Sequence, residues 1–288
     1  MLSRLTGSWP RLAALAGAAT VLAACASGGG TSSSGTSHSA SALSARQVIL
    51  LAAKHTTSVT SFNATVSASV SQPGSGTFRM AGTMVEQLSP SLRAEANFST
   101  LEANGIPVPG GADEIITSKA LYVKMSAITQ GLHTAKTWVQ VPLSAVYKAT
   151  GLNLSSLFSQ AQANNPLTQT QMLAASPDVH KVGTGTINGV PVTEYAGSYS
   201  IAKALASLPP SSRAAISAQT QSMGIKSAQF HVWIDGQQQV RKITGTLTSS
   251  KVTETVSETI TSVNQPVTIT PPPAAETYVL PASALPTR

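Results

Sequence analysis

Strict alternation of apolar and polar residues is the feature that most limits how this chain can fold. In residues 62–71 every second side chain is apolar, namely Phe62, Ala64, Val66, Ala68 and Val70. The positions between them carry Asn, Thr or Ser, and a period of two is typical of a strand with one buried face. The pattern returns in 78–84 and 92–98. Turn residues at 73–76 and 89–90 separate the three segments, which predicts an antiparallel meander.

Further strands are predicted in the rest of the chain. Asn188-Gly189 is the strongest hairpin signal, because a type I′ turn needs positive φ at both central positions. Asp235-Gly236 marks a second hairpin. The predicted strands cover 115–116, 121–125, 138–141, 179–187, 190–199, 228–234, 241–247 and 252–263, and one more short strand is expected near Tyr278. Without the short segment near Tyr278, the chain is therefore expected to carry about ten or eleven mostly antiparallel strands.

Helical periodicity interrupts this pattern at a few places. Ser44 and Gln47 form a capping-box sequence at the start of an amphipathic helix that opens the domain. Two helical insertions are predicted between strands, at 154–161 with 167–175 and at 201–208 with 210–223. Gly224 is expected to end the last of these helices.

The N-terminal segment has the organisation of a bacterial lipoprotein leader. Residues 1–11 carry Arg4 and Arg11 without an acid, and 12–22 form an apolar run too short to span a membrane. Leu22-Ala23-Ala24-Cys25 reads as a lipobox, so residues 1–24 are interpreted as a signal peptide and Cys25 as the lipid attachment site. The alternative is an ordinary secretory signal with an incidental cysteine.

Residues 25–43 are interpreted as the lipidated cysteine and a disordered Ser/Gly/Thr tether. Eighteen such residues reach at most about 60 Å, so the tether would let a domain stand off the membrane. Residues 44–288 are interpreted as one domain with an extended C-terminal tail. Cys25 is the only cysteine, which excludes an internal disulfide.

Charge and motifs exclude several function classes. The chain carries a formal net charge of +7, which becomes +5 when Arg4 and Arg11 leave with the leader. Its Lys and Arg residues are scattered singly, so no nucleic-acid partner is expected. The five histidines are dispersed, and neither a metal nor a cofactor is expected.

The sequence offers no convincing catalytic set. Ser200-Ile201-Ala202-Lys203 matches an S-x-x-K nucleophile motif, but the K-T-G partner is absent, and Ser200 is better placed as a helix N-cap. Glu254 and Glu258 share a strand face and could act as an acid/base pair. The non-catalytic alternative, which we expect, is that they lie near a strand edge or snorkel to solvent. We expect no enzymatic activity.

The remaining feature is the apolar strand face, and two interpretations stay open from periodicity alone. Helices packed tightly on that face would make an ordinary core. Helices that stand off would leave a cavity able to hold acyl chains.

Four local stretches resemble a known family. They are Leu121-Tyr122-Val123, Trp138-Val139-Gln140-Val141, the hairpin from Val182 to Tyr195, and the hairpin from Val232 to Lys242. Together with the lipobox and tether, they resemble the LppX/LprG-type lipoproteins of actinobacteria, within the wider LolA/LolB-like group. The likeness covers roughly residues 44–265 in order of elements. The tail at 266–288 and the small, Ala-rich strand faces depart from it.

The resemblance implies an α+β fold, in which a curved antiparallel half-barrel sheet has helices packed on its concave face. It also implies a cavity for lipid or lipoglycan acyl chains and no catalytic residue. Strand parity and helix faces then suggest these cavity residues: Val66, Met80, Met84, Phe98, Val123, Phe158, Met172, Tyr195, Met223, Phe230 and Val232.

The expected function is that of a lipoprotein that carries or presents lipids across the cell envelope. It would be exported and anchored through Cys25 to the outer face of the plasma membrane, and a monomer is expected. The alternative is a cell-surface module with a solid core that binds a protein partner. A hydrolase acting on envelope material is a third, less favoured reading.

Overall fold

The computed structural model describes residues 43–144, 173, 176–206, 213, 217, 220–281 and 284. Several predictions lie outside these residues. They concern the signal peptide, Cys25, almost all of the tether and the helix at 154–161. The predicted cavity residues Phe158 and Met172 also lie outside the described residues. These remain predictions.

The first helix, α1, spans Ala45–His55 and begins as predicted. The Ser44 backbone N–H donates to Gln47 Oε1 at 2.8 Å, and the Gln47 N–H donates to Ser44 Oγ at 3.3 Å. This reciprocal capping box satisfies two amides that the helix itself leaves without partners. The helix buries Ile49, Ala52 and Ala53, and a 3-10 turn, Thr56–Ser58, follows it.

One sheet of thirteen strands makes up most of the described structure. The strands are β1 Ser61–Gln72, β2 Gly76–Gln87, β3 Arg93–Ala103, β4 Ile106–Pro107, β5 Ala112–Ile116, β6 Ala120–Lys124, β7 Trp138–Pro142, β8 His180–Ile187, β9 Val190–Ser200, β10 Ser227–Asp235, β11 Val240–Thr248, β12 Thr253–Val263 and β13 Thr277–Val279. Two short helices, α2 and α3, cover Ser126–Gly131 and Ile201–Ala206, and a 3-10 turn covers Ala274–Glu276.

The fold class is confirmed: the chain has an α+β architecture with one large, open, curved and almost wholly antiparallel sheet. The strand order is β13-β7-β6-β5-β3-β2-β1-β12-β11-β10-β9-β8, with β4 paired to β3. Only the β13–β7 pair is parallel among the described pairs. The predicted strands are present, and β4 adds a two-residue strand between β3 and β5.

Pairing between β1 and β12 joins the two halves of the sheet. Residues almost two hundred positions apart lie opposite each other there, for example Val66 and Glu258. Because β1 also pairs with β2, and β12 with β11, both strands are central. No local pattern predicts this long-range contact, and it determines what surrounds every side chain on β12.

We call the sheet side that carries Phe62, Val66 and Val232 the inner face, and the opposite side the outer face. The main hydrophobic cluster lies on the inner face, and it includes Ile49 and Ala52 of α1. A second cluster, with Ile201 and Ala204 of α3, covers the end of the inner face near Ala228 and Val252. The described helices therefore pack on one side of the sheet.

The C-terminal tail crosses the outer face. Ile269 is fully buried there against Ile115 and Tyr122, and Arg93 Nη1 donates to the Ile269 carbonyl at 2.9 Å. Beyond it, β13 pairs with β7, so the tail both covers part of the outer face and adds the last strand at one edge.

The turns at the predicted positions have the backbone conformations that the sequence indicates. Asn188 and Gly189 have φ of 49° and 80°, as the type I′ hairpin requires. Gly224 has φ of 70° and follows the last helical residues before β10. Within the described ranges, no helix combines the length and apolar character that a membrane crossing needs.

Candidate ligand-binding face

Most of the predicted cavity residues meet on the inner face. Seven are buried members of the main cluster, and Val123 packs against it at partial exposure. The seven are Val66, Met80, Met84, Phe98, Tyr195, Phe230 and Val232. Met223 belongs instead to the second cluster beside α3, so the structure does not bring it together with the others. Contact of any of these residues with a ligand stays a prediction.

A cavity of about 530 Å³ lies where α1 meets β8, β9 and β10. Val48 of α1, Thr193 and Tyr195 of β9 and Ile234 of β10 are among its lining residues. Tyr195 and Ile234 also belong to the main cluster, so this cavity is continuous with the apolar inner face.

A glycine on the inner face makes room for an aromatic ring. A Cβ added to Gly197 would lie 2.9 Å from the Phe230 ring and 2.6 Å from Ser176 Oγ. A side chain at this position would therefore force Phe230 or Ser176 to shift.

The segment before β8 is tied to β9 through Asp178. Its carboxylate accepts hydrogen bonds from Ser198 N at 2.8 Å, Ser198 Oγ at 2.7 Å and Ser176 Oγ at 2.8 Å. The Ser198 bonds, followed by that of Ser176, lower the pKa of Asp178 to about 2. Leu173, just upstream, is buried in the main cluster, so this anchored segment reaches the inner face.

Four glutamates point toward the inner face, and the sequence had placed only two of them, Glu254 and Glu258, together on one strand face. Residues opposite each other on antiparallel strands share a face. Glu86 lies opposite Phe62, and Glu114 lies opposite Ala96 and Val123. Glu254 lies opposite Val70 and Leu247, and Glu258 lies opposite Val66 and Ile243.

The expectation that Glu254 and Glu258 lie near an edge or snorkel to solvent was wrong. Their strand, β12, is central, and the side chains are 6% and 1% exposed. A glutamate reaches water only when its strand lies near an edge or its face is uncovered. Pairing of β12 with β1 and β11 removes the first route, and the inner-face packing removes the second.

Burial changes the protonation of these carboxyls. It raises the pKa of Glu86 and of Glu114 to about 7 and raises the pKa of Glu254. For Glu258, burial and then the nearby charge of Glu86 raise the pKa well above its usual range. Glu86 and Glu114 nevertheless keep some accessible surface.

Glu86 and Glu114 were missed at the sequence level, although a signal existed for Glu86. It continues the alternation of Met80, Gly82 and Met84 by one more step, so parity alone places it on the same face. Glu114 had no such signal, because its strand is only five residues long.

The structure places the two residues of the weak catalytic motif on different elements. Ser200 is the last residue of β9, and Lys203 is exposed on α3. Across the part of the chain that the structure describes, no group of three or more His, Cys, Asp or Glu side chains is placed to hold a metal ion.

Comparison with solved structures identifies the fold. LprF from Mycobacterium bovis superposes with a TM-score of 0.51 at 15% identity, over 79% of this chain and 96% of LprF. The chain shares the fold of LprF. The lipoprotein LppX from Mycobacterium tuberculosis aligns with a TM-score of 0.48 at 16% identity, over 78% of this chain and 98% of LppX. The superposition on LprF confirms the expected resemblance at the level of the fold alone.

Sequence comparison matches a smaller part of the chain. An uncharacterized 31.2 kDa protein of Streptomyces griseus is 29% identical over 114 residues, which are 38% of this chain. The match spans only 36% of that protein's length. No protein-family model matches the chain.

Proposed function

We propose that the protein is an envelope lipoprotein that binds the acyl chains of a lipid or lipoglycan on its inner face and carries or presents them. It is anchored through Cys25 to the outer face of the plasma membrane, acts as a monomer and performs no catalytic step. The observation that carries the proposal is the inner face. It is a broad apolar surface on an LprF-like sheet, with a cavity of about 530 Å³ beside Tyr195 and Ile234.

Physical chemistry supports binding as a sufficient activity. Each methylene moved from water to an apolar surface contributes about 0.8 kcal/mol, so a long acyl chain on this face would be stabilised without any covalent chemistry. The lipobox and tether supply the complementary part, because an acylated Cys25 would hold the domain near the bilayer from which such chains come.

The test is recovery of bound lipid. The full chain carrying Cys25→Ser would be purified without detergent, extracted with chloroform and methanol, and the extract analysed by mass spectrometry. We expect co-purified lipid in amounts approaching one per chain.

A matched pair of variants locates the binding. Thr193 lines the cavity on β9, so Thr193→Trp should fill it and reduce the recovered lipid several-fold. Thr65 is exposed on the outer face of β1, so Thr65→Trp adds the same ring on the other side and should leave recovery unchanged.

Two results would count against the proposal. Absence of lipid from every preparation would contradict it, and a stoichiometric protein partner without lipid would favour the surface-interaction alternative. Equal loss of lipid in both tryptophan variants would show that binding occurs elsewhere than at this cavity.

A further inference from the structure

The carboxyl group of Glu258 lies in the middle of the inner face without a hydrogen-bond partner. The side chain is 1% exposed. Val66 and Ile243 lie opposite it on the neighbouring strands, and Val256 and Ile260 precede and follow it on the same face. All four are buried. Among the described residues, neither Glu258 Oε1 nor Oε2 has a hydrogen-bond partner.

Such a group needs an explanation. A buried carboxyl without hydrogen bonds is strongly disfavoured, because it loses its contacts with water and gains none in return. Native proteins keep few of them, and a missing ligand, ion or water is a common reason. Strand register places Glu258 on the inner face, on which we propose that lipid binds.

The protonation state of Glu258 restricts which chemical groups can be its hydrogen-bond partner. Burial, with a further contribution from the charge of Glu86, raises the pKa of Glu258 well above its usual range, which favours the neutral acid. A neutral carboxyl presents one O–H donor and one carbonyl acceptor. A partner that both donates and accepts therefore satisfies both oxygens.

The charged groups on the same face further restrict which chemical group can be the partner of Glu258. Glu86, Glu114 and Glu254 also point inward, and none of the ion pairs seen within the described ranges involves them. A phosphate or carboxylate placed among these groups would meet like charge whenever they ionise. An ester carbonyl avoids that repulsion, but it only accepts and leaves one oxygen of Glu258 without a partner. An alcohol meets both requirements.

We propose that Glu258 is the polar contact for a hydroxyl group of the ligand, so that the inner face selects an uncharged, hydroxyl-bearing lipid. The hydroxyl lies against the Glu258 carboxyl, and the hydrocarbon chain extends over the apolar residues around it. This inference rests on the proposed lipid-binding function and adds the ligand class and the residue that recognises it.

The experiment compares three lipids that carry the same oleoyl chain. Monooleoylglycerol has free hydroxyls, methyl oleate has only an ester, and oleate has an anionic carboxylate. Each would be delivered from cyclodextrin to the full chain carrying Cys25→Ser, and affinity would be measured by displacement of the neutral fluorophore diphenylhexatriene. We expect monooleoylglycerol to bind about tenfold more tightly than the other two, which is the effect of one buried hydrogen-bonding group.

Substitutions at Glu258 separate hydrogen bonding from shape. Glu258→Leu removes both the hydrogen-bond donor and the acceptor. Methyl oleate should still bind this variant, and monooleoylglycerol should bind it with about the same affinity as methyl oleate. Glu258→Gln keeps a donor and an acceptor, so most of that preference should remain. The control is Glu95→Leu, which changes an exposed glutamate on β3 and should leave all three affinities unchanged.

The possible failures are distinguishable. If diphenylhexatriene does not bind, or none of the three lipids displaces it, the proposed lipid-binding function fails and this inference fails with it. If the lipids bind but monooleoylglycerol is not preferred, or if the preference survives in Glu258→Leu, lipid binding stands and the role of Glu258 is overturned.

Discussion

The two faces of strand β12 meet different environments on the same backbone. On its inner face, Glu254, Val256, Glu258 and Ile260 are each at most 6% exposed. Its outer side chains are Thr or Ser and keep accessible surface. Outer hydroxyls lie within hydrogen-bond reach of the neighbouring strand, as Thr255 does with Thr246 and Ser257 with Thr244, each at 3.4 Å. On the inner face, Glu258 has no such neighbour among the described residues.

The polar groups on the two faces of β12 are therefore satisfied to different degrees. On the outer face, cross-strand hydroxyl pairs and water satisfy the polar groups, so nothing further is required there. On the inner face, Glu258 stands among apolar neighbours, and its carboxyl oxygens have no hydrogen-bond partner among the described residues. Substitutions on the inner and outer faces of β12 can therefore separate the effects of packing, of charge and of ligand recognition.

The largest effect is expected from removing an inner apolar side chain. Ile260 is 3% exposed within the main cluster, so Ile260→Ala should lower the free energy of unfolding by about 2–4 kcal/mol through lost burial and a residual cavity. Thr261→Ala, one residue away on the exposed face, should change it by less than about 0.5 kcal/mol. Urea titrations measure both, and equal losses would contradict the division into two faces.

A pH dependence of intermediate size is expected from Glu86 and Glu114. Their pKa values rise from about 4.5 when unfolded to about 7 when folded. Between these values the folded chain holds more protons on these two groups than the unfolded chain, so their contribution to stability is fully present below pH 4.5 and is lost as pH rises toward 7. The combined loss should be about 2–3 kcal/mol, after a reduction for their partial exposure.

The Glu86→Gln/Glu114→Gln double variant tests this origin. It should flatten the decline in the free energy of unfolding between pH 4.5 and 7, whereas Glu95→Gln on the exposed face should leave the decline unchanged. Urea titrations at several pH values provide the measurement. A decline of the same size in the double variant would show that other groups cause it.

A smaller gain in stability is expected from Glu258→Leu in the lipid-free protein. Replacing a buried, unpartnered carboxyl by an apolar side chain should raise the free energy of unfolding by about 1–2 kcal/mol at pH 7. Ser257→Leu on the outer face of the same strand serves as the control. A loss of stability in Glu258→Leu would mean that the carboxyl already has a partner inside the protein.

The smallest effect is expected on the surface. Arg79 Nη1 lies 3.7 Å from Glu102 Oε2, and these side chains are 59% and 32% exposed. Arg79→Gln should therefore change the free energy of unfolding by less than about 0.5 kcal/mol. An effect above 1 kcal/mol in thermal or urea melts would show that outer charges matter more than this comparison of the faces implies.

Much of the fold could be predicted from local sequence, while the candidate site could be predicted only in part. Alternation located the strands and their buried sides, as with Val66 and Phe230, because side-chain direction in a strand depends only on parity. The same parity placed Glu254 and Glu258 together but could not reveal their burial. Met223 was grouped with the wrong cluster, because a helix face does not specify which part of a sheet it covers.

By itself, the sequence determined the capping box at Ser44, the Asn188-Gly189 hairpin and the two-sided character of the strands. Each of these follows from backbone conformation and spacing within a few residues. Only the tertiary structure decided that β12 pairs with β1 and that the tail crosses the outer face to Ile269. Strand pairing across almost two hundred residues depends on the whole chain, and that pairing turned Glu258 from an ordinary strand glutamate into a buried carboxyl.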